Sequence, residues 1–243
     1  MHPIKYLVVC IFLCISCTKN DDVNTEQTLV SYIEGENFEL GGVIACAASD
    51  EITNNILTFY YPVSGATNIR YFQTDSLEVD ESDFSNYNPV FFDSEPVFNG
   101  YLERFVQASD VERWIIVTFE VDGEIKISNP IRSKQHTKPT VWNDVVSIDH
   151  TVSAMPSFSW EDNPVGDNAI YFQVITDADN NFLSGTYTYD NTFKYYTLDN
   201  VILNITTQTP PDLVIGNTYN FTLMDVSLDN WVNSVINKSF EAE

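Results

Sequence analysis

Residues 68–73 read Asn-Ile-Arg-Tyr-Phe-Gln, and residues 168–173 read Asn-Ala-Ile-Tyr-Phe-Gln. The two stretches share Asn, Tyr, Phe and Gln at matching positions and lie one hundred residues apart. Self-similarity at a fixed spacing indicates that one structural unit occurs more than once in a chain. The sequence therefore predicts two copies of one domain.

The segments on either side of this stretch repeat in the same order. An aromatic segment precedes each copy, and a longer apolar segment follows each copy. The matched pairs are 59–61 with 158–160, and 114–121 with 219–224. Residues 133–140 between the copies are polar and contain Pro139, as is typical of a domain boundary. We predict a first domain at residues 37–138 and a second at residues 139–243.

The local pattern predicts β-strands in both copies. Short apolar runs such as Leu57–Tyr61 are rich in β-branched and aromatic residues and end at Asn, Asp, Gly or Pro. Asp122-Gly123 between two such runs predicts a two-residue hairpin turn. No long segment keeps a 3.6-residue period with helix caps. About seven short strands per copy predict an all-β chain of two β-sandwiches in series.

The order of aromatic strand, Pro/Gly/Asn turn and Tyr-Phe strand resembles that of fibronectin type III modules. Residues 213–219 resemble this family's approach to the tyrosine corner. The resemblance implies that Tyr219 hydrogen-bonds to the upstream backbone. The first copy has Trp114 in the analogous place. An immunoglobulin-like sandwich fits the same pattern.

The N-terminus predicts export. Lys5 and the apolar run at residues 6–13 are typical of a secretory signal peptide at residues 1–16, since the run is too short to span a hydrocarbon core of about 30 Å. Ile15-Ser16-Cys17 resembles the lipobox of bacterial lipoproteins. The resemblance implies cleavage after Ser16, lipid attachment at Cys17 and an outer-membrane location.

The segment after Cys17 extends this prediction. Residues 19–22 (Lys-Asn-Asp-Asp) resemble the surface-export signal of Bacteroidota-type lipoproteins, which implies display on the cell surface. The polar residues 17–36 are predicted to form a lipidated flexible tether. Without residues 1–16 the remaining cysteines are Cys17 and Cys46, so lipid on Cys17 leaves no internal disulfide. Cys46 is predicted to act as a small buried apolar residue.

The net charge and the lack of recognisable catalytic or metal-binding motifs argue against several classes of function. With 11 Lys and Arg against 35 Asp and Glu, the net charge is −24, which argues against nucleic acid as a partner. Neither His136 nor His150 has the spacing of a metal site, and no GxSxG motif occurs. The acidic residues 177–181 lack the glycine of a calcium-binding EF-hand loop, since Phe182 stands at that position, and favour an Asx-rich turn. We predict no enzyme activity, no cofactor and no metal.

The abundance of aromatic residues suggests that some rings are exposed and form a ligand site. Tyr187, Tyr189, Tyr195 and Trp231 belong to predicted hairpins of the second domain, where exposed rings could bind a glycan or protein ligand. The alternative is that these rings cover a sheet or the contact between domains. The predicted function is a membrane-anchored, non-enzymatic binding or spacer module. One alternative is a glycan-capture lipoprotein of an outer-membrane polysaccharide-uptake system, and the other is a hydrolase with an unrecognised site.

Overall fold

The computed structural model of the protein describes residues 27–162, 167–195, 201–206 and 209–243. The predicted signal peptide and Cys17 lie outside these ranges. Within them, the helical elements are the five-residue α1 (Leu29–Ile33) and a 3₁₀ turn at Phe84–Asn86. No helix in the described ranges is long and apolar enough to cross a membrane.

Two sheets, A and B, form the first sandwich. In chain order its strands are β1 (Phe38–Val43), β2 (Ala45–Ser49), β3 (Ile56–Tyr60), β4 (Thr67–Gln73), β5 (Asn88–Val90), β6 (Glu95–Val97), β7 (Leu102–Gln107), β8 (Trp114–Val121), β9 (Glu124–Ser128) and β10 (Ile131–Arg132). Sheet A has the order β1-β9-β8-β4-β5, with β10 paired to β8, and sheet B has the order β2-β3-β7-β6. This arrangement is that of an immunoglobulin-like sandwich.

Sheets C and D form the second sandwich. In chain order its strands are β11 (Val141–Asn143), β12 (Ser147–Asp149), β13 (Ser157–Ser159), β14 (Asn168–Asp177), β15 (Phe182–Thr188), β16 (Thr192–Lys194), β17 (Val201–Asn204), β18 (Thr218–Ser227) and β19 (Val232–Glu241). Sheet C has the order β11-β19-β18-β14-β15-β17, and sheet D has the order β12-β13-β16. The prediction of an all-β chain with two sandwiches is confirmed.

The elements stack in the order α1, A, B, C, D. A separate apolar cluster fills each gap between neighbours. Representative members are Leu29 and Phe72 between α1 and sheet A, Tyr71 and Phe105 between A and B, Phe59 and Phe172 between B and C, and Tyr171 and Phe158 between C and D. The two sandwiches therefore share an apolar layer, since the outer face of B packs on the outer face of C.

The repeated Tyr-Phe pair occupies the same two faces in both copies. Successive residues of a strand point to opposite sides of the sheet. In β4, Tyr71 faces sheet B and Phe72 faces α1, while in β14, Tyr171 faces sheet D and Phe172 faces sheet B. All four side chains are buried. A strand buried on both faces reads as a continuous apolar run instead of an alternating one.

Helix α1 replaces part of the predicted tether. Leu29 is fully buried, and Tyr32 and Ile33 are nearly so, because they cover the apolar outer face of sheet A. The ring of Tyr32 stacks on Phe72 with 5.8 Å between centroids. The tether predicted for residues 17–36 therefore does not extend through α1, which packs with the first sandwich.

Two turns predicted from the sequence are confirmed. Asp122 and Gly123 have φ of 54° and 76° and join β8 to β9, as a type I′ hairpin turn requires. At the tyrosine corner, the Val214 N–H donates a hydrogen bond of 2.9 Å to the hydroxyl oxygen of Tyr219. Gly216 makes the intervening turn with φ of 84°.

Candidate binding cleft and the contact between the sandwiches

Trp231 joins the two sandwiches. It follows the turn between β18 and β19 of the second sandwich, yet it is fully buried in the A–B core of the first. Its indole N–H donates to the Lys138 carbonyl at 2.9 Å, and the Ala47 N–H donates to the Asn230 carbonyl at 3.0 Å. The prediction that Trp231 is an exposed ring is wrong, because the first core is completed by this indole.

Polar contacts hold the same hairpin to the end of the first sandwich. The Arg132 N–H donates to the Asp229 carbonyl at 3.0 Å, and the Lys134 ammonium lies 2.7 Å from the Asp229 carboxylate. The Asn230 side-chain amide donates to the Pro130 carbonyl at 3.0 Å. These bonds fix the hairpin tip where it enters the first sandwich.

The polar segment between the sandwiches also packs against them. Ser49 and Thr140 exchange two hydrogen bonds of 2.8 Å, each from a backbone N–H to the other's hydroxyl oxygen. The Trp142 indole N–H donates to the Ser49 carbonyl at 2.8 Å. Ser133 and Gln135 are fully buried. The junction is thus part of the interface.

Two other predicted ligand-binding rings are also engaged inside the protein. Tyr187 stacks on Phe172 with 4.7 Å between centroids in the B–C layer, where burial raises the pKa of its hydroxyl. Tyr195 is 1% exposed, and its hydroxyl donates to the Pro211 carbonyl at 2.7 Å. The prediction of exposure is wrong for Tyr195, and Tyr187 follows the alternative that assigned it to the interdomain contact. Tyr189 is 61% exposed, as predicted.

A small apolar cavity of about 80 Å³ remains in the B–C layer. Cys46, Phe59, Tyr187 and Met224 are among its lining residues. Burial raises the pKa of the Cys46 thiol to about 12. A thiol that stays protonated is a poor nucleophile, so Cys46 serves as an apolar wall of the cavity.

A larger cleft of about 190 Å³ opens at the edge of the first sandwich. It forms where the chain leaves β5 and crosses from sheet A to β6 in sheet B. Its lining residues are Asn68, Ile69, Arg70, Tyr71, Pro89, Val90, Phe91, Phe92 and Phe105. Tyr71 and Phe105 are buried at its floor, while Phe91 is 69% exposed at its mouth. We call this feature the Phe91 cleft.

Arg70 is held in place beside the Phe91 cleft. Its Nε donates to Asn68 Oδ1 at 3.1 Å, and its guanidinium carbon lies 4.0 Å from the centre of the Tyr32 ring. Such a ring face attracts a guanidinium. Within the described part of the chain, Arg70 forms no ion pair within 4.0 Å. Arg70 is one of the residues that line the Phe91 cleft, and its guanidinium has terminal N–H groups that can donate hydrogen bonds.

Glu120 completes this arrangement. The Asn68 side-chain amide donates to Glu120 Oε1, and the Tyr32 hydroxyl donates to the same oxygen at 2.7 Å. These bonds, with that of Asn68 the stronger, hold the pKa of Glu120 below its ordinary value. Glu120 thus orients Asn68, which in turn orients Arg70. Sequence reasoning missed this group, although Arg70 stands out as a charge where the second copy has Ile170.

The acidic loop at residues 177–181 forms an Asx turn. Asp177 Oδ1 accepts hydrogen bonds from the N–H groups of Asp179 and Asn181 at 2.9 and 2.8 Å. Its other oxygen accepts from the Asn181 side-chain amide at 2.8 Å. These bonds lower the pKa of Asp177. No group of three His, Cys, Asp or Glu residues in the described ranges could hold a metal ion.

No protein-family model matches the chain, and no curated protein matches it. Among solved structures, it is similar to the chicken CNTN1 FN1-FN3 domains, with 14% identity, 85% of this chain and 68% of that chain covered, and a TM-score of 0.31. It is similar to the receptor tyrosine kinase Torso, with 11% identity, 86% and 76% coverage, and a TM-score of 0.27. It is also similar to the chicken interferon gamma receptor alpha chain, with 11% identity, 82% and 96% coverage, and a TM-score of 0.26. Likenesses this weak carry no argument about function.

Proposed function

We propose that the protein is a surface lipoprotein, anchored in the outer membrane through Cys17, whose two sandwiches form a non-enzymatic binding or spacer module. The leader at residues 1–16 and the Ser16-Cys17 junction support the anchor. Fibronectin-type sandwiches fit such a module, although a fold alone does not determine function. The remaining support comes from the way in which the two sandwiches are joined.

The observation that carries the proposal is the burial of Trp231 in the core of the other sandwich. Domains joined only by a small polar contact move relative to each other by default. Here the contact combines the apolar B–C layer, a fully buried indole and several hydrogen bonds, so the two sandwiches hold one arrangement. A fixed arrangement suits a module that carries a binding surface at a set place above a membrane.

The position of α1 suits an anchor at Cys17. Helix α1 begins twelve residues after Cys17 and packs on sheet A. Twelve residues reach at most about 40 Å, since an extended chain spans about 3.5 Å per residue. A lipid on Cys17 therefore keeps the first sandwich close to the membrane, with sheet D at the far end of the stack.

The anchor is tested with the full-length chain and its Cys17→Ser variant, expressed in a Gram-negative host that processes lipoproteins. The native chain should fractionate with membranes and give a mature N-terminal peptide that carries lipid on Cys17. The variant should lose both properties. A free amino terminus at a residue other than Cys17 in the native protein, seen by mass spectrometry, would contradict the proposal.

Glycan capture is a second candidate because the Phe91 cleft places an exposed ring beside Arg70 and Asn68. Carbohydrate sites combine a ring that packs on the C–H face of a sugar with polar groups that bind its hydroxyls. This combination lies in the first sandwich, whereas the ring residues predicted from the sequence lie in the second. The effects of Phe91→Ala and Tyr189→Ala on glycan binding distinguish the two locations.

A further inference from the structure

We propose that the Phe91 cleft binds one sugar residue of a neutral glycan, with the sugar stacked on Phe91 and its hydroxyls bound by Arg70. This inference rests on the glycan-capture candidate and names its site. It does not depend on the lipid anchor, because the cleft lies entirely within the first sandwich.

Strand register places the two groups side by side. Tyr71 of β4 pairs with Val90 of β5, so Arg70 and Phe91 are the next residues outward from that pair. Both residues line the cleft. An exposed aromatic ring beside a fork of hydrogen-bond donors provides one apolar and one polar contact for the same small ligand.

Arg70 is ordered before any ligand arrives. The Asn68 hydrogen bond and the Tyr32 ring restrict its side chain, and Glu120 in turn holds both Asn68 and Tyr32. A long, freely rotating side chain loses conformational entropy when it binds a ligand. A guanidinium that is already fixed loses less, so its terminal nitrogens are suited to recognition.

The size of the cleft indicates a single ring. The cleft has a volume of about 190 Å³. Sites for drug-sized ligands are larger, from about 300 Å³ upward. One sugar residue can therefore enter the cleft, and the rest of the glycan extends over the surface.

Two features favour a neutral glycan over other ligands. The net charge of −24 and the carboxylate of Glu120 beside Arg70 disfavour an acidic saccharide. A peptide strand could join β4 only at residues 67–70, since β8 pairs along one side of β4 and β5 pairs with residues 71–73 on the other side. At residues 67–70 the backbone is irregular, with a register shift against β8 between Thr67 and Arg70 and a φ of 50° at Asn68.

The test uses a chain that begins at residue 18, and so omits the predicted lipidated Cys17, with a panel of neutral oligosaccharides. Uronic-acid oligosaccharides and a peptide array serve as comparisons. Three variants are measured: Phe91→Ala, Arg70→Gln and Tyr189→Ala. Tyr189 is the matched control, since its ring is 61% exposed and lies on the second sandwich. Phe91→Ala and Tyr189→Ala should leave the melting temperature unchanged, because these rings are 69% and 61% exposed. Arg70→Gln loses the Asn68 hydrogen bond and the contact with Tyr32, so it should lower the melting temperature by no more than about 4 °C.

The expected result is binding to at least one neutral oligosaccharide, weakened about tenfold by Phe91→Ala and severalfold by Arg70→Gln. Tyr189→Ala should bind as the native chain does. The proposal is overturned if no neutral oligosaccharide binds, if binding survives Phe91→Ala, or if Tyr189→Ala weakens it equally. Binding restricted to uronic-acid oligosaccharides or to peptides also overturns it. None of these outcomes bears on membrane attachment at Cys17, so the anchor stands or falls separately.

Discussion

The two sandwiches use the same repeated stretch but cover it differently. In the first, α1 packs over Phe72, and in the second, sheet B of the neighbouring sandwich packs over Phe172. One residue before the shared Tyr, the first copy has Arg70 at a solvent-facing cleft, whereas the second has Ile170 packed in the B–C layer. A five-residue helix covers less of a sheet than a second sheet does.

The difference shows how one domain design acquires two roles. Where a whole sheet covers the outer face, apolar residues extend to its edge and the face forms an interface. Where α1 alone covers it, the edge stays open, and a charged side chain and an exposed ring occupy it. The proposed ligand site of the first sandwich and the interface of the second therefore use equivalent positions, Arg70 in the first and Ile170 in the second.

The largest expected effect concerns Trp231. Trp231→Ala should lower the free energy of unfolding by about 3–5 kcal/mol, because it leaves a cavity in the A–B core and removes the bond to the Lys138 carbonyl. The loss should appear in the first sandwich, although the mutated residue belongs to the second. Denaturant unfolding combined with hydrogen exchange on β2 and β8 measures it.

The control for that variant lies in the same hairpin. Leu228 is 85% exposed, so Leu228→Ala should change stability by less than about 0.5 kcal/mol. If Trp231→Ala instead accelerated exchange in sheets C and D alone, the two sandwiches would be independent units and the contact would not carry the stability assigned to it.

The next comparison uses equivalent phenylalanines. Phe72→Ala and Phe172→Ala should each cost about 3 kcal/mol, since both rings are buried. Their local effects should differ. Phe72→Ala should release α1 and increase proteolysis near residues 27–36, whereas Phe172→Ala should loosen the B–C layer. Limited proteolysis and hydrogen exchange distinguish these outcomes. Identical protection patterns in the two variants would contradict the finding that α1 covers Phe72 and sheet B covers Phe172.

Much of this fold could be predicted from local patterns. The Asp122-Gly123 turn, the Tyr219 corner and the matched strands β4 and β14 follow from residues close together in the sequence. Local chemistry determines such features, because turn geometry and strand alternation depend on neighbouring residues. The predicted boundary at residues 138 and 139 falls between β10 and β11, in the packed junction.

The candidate site could not be predicted in the same way. Trp231 and Tyr195 read as exposed hairpin rings, and only long-range packing shows that they are buried. Phe91 reads as one ring of a Phe-Phe pair, and its exposure depends on the crossing of the chain from sheet A to sheet B. Alternation gives the face of a side chain, but the element that covers that face is set by tertiary structure.

A smaller effect is expected at the tyrosine corner, which the second sandwich has and which the first copy replaces with Trp114. Tyr219→Phe removes the acceptor of the Val214 N–H and should cost about 1 kcal/mol, a modest value because Val214 is 58% exposed and water can replace the hydroxyl. Thermal unfolding measures it. Tyr189→Phe, at an exposed hydroxyl, is the control and should show no change.

The last comparison concerns the two acids that accept hydrogen bonds from the repeated Asn68 and Asn168, and the variant of Glu120 should show the smallest effect of all. In the first sandwich, Asn68 bonds to Glu120, and hydrogen bonds hold the pKa of Glu120 below its ordinary value. In the second, Asn168 donates to Asp225 at 2.6 Å, but burial dominates and raises the pKa of Asp225. The ionised form is thus stabilised by folding in one copy and disfavoured in the other.

The two acids should therefore give opposite pH dependences. A lowered pKa adds stability above the ordinary pKa of Glu120, and that stability is lost as the pH falls through the folded value. A raised pKa removes stability as the pH rises from the ordinary pKa of Asp225 through its folded value.

At pH 7, Glu120→Gln should lower the free energy of unfolding by a few tenths of a kcal/mol, since the site is partly exposed. Asp225→Asn should raise it by about 1 kcal/mol, since Asp225 is buried. Near pH 3 both differences should shrink, because both acids are then largely protonated in the unfolded chain. Urea unfolding of the native chain and both variants at pH 3 and pH 7 measures this, and a shift of the same sign in the two variants would show that the repeated Asn–acid pairs are equivalent after all.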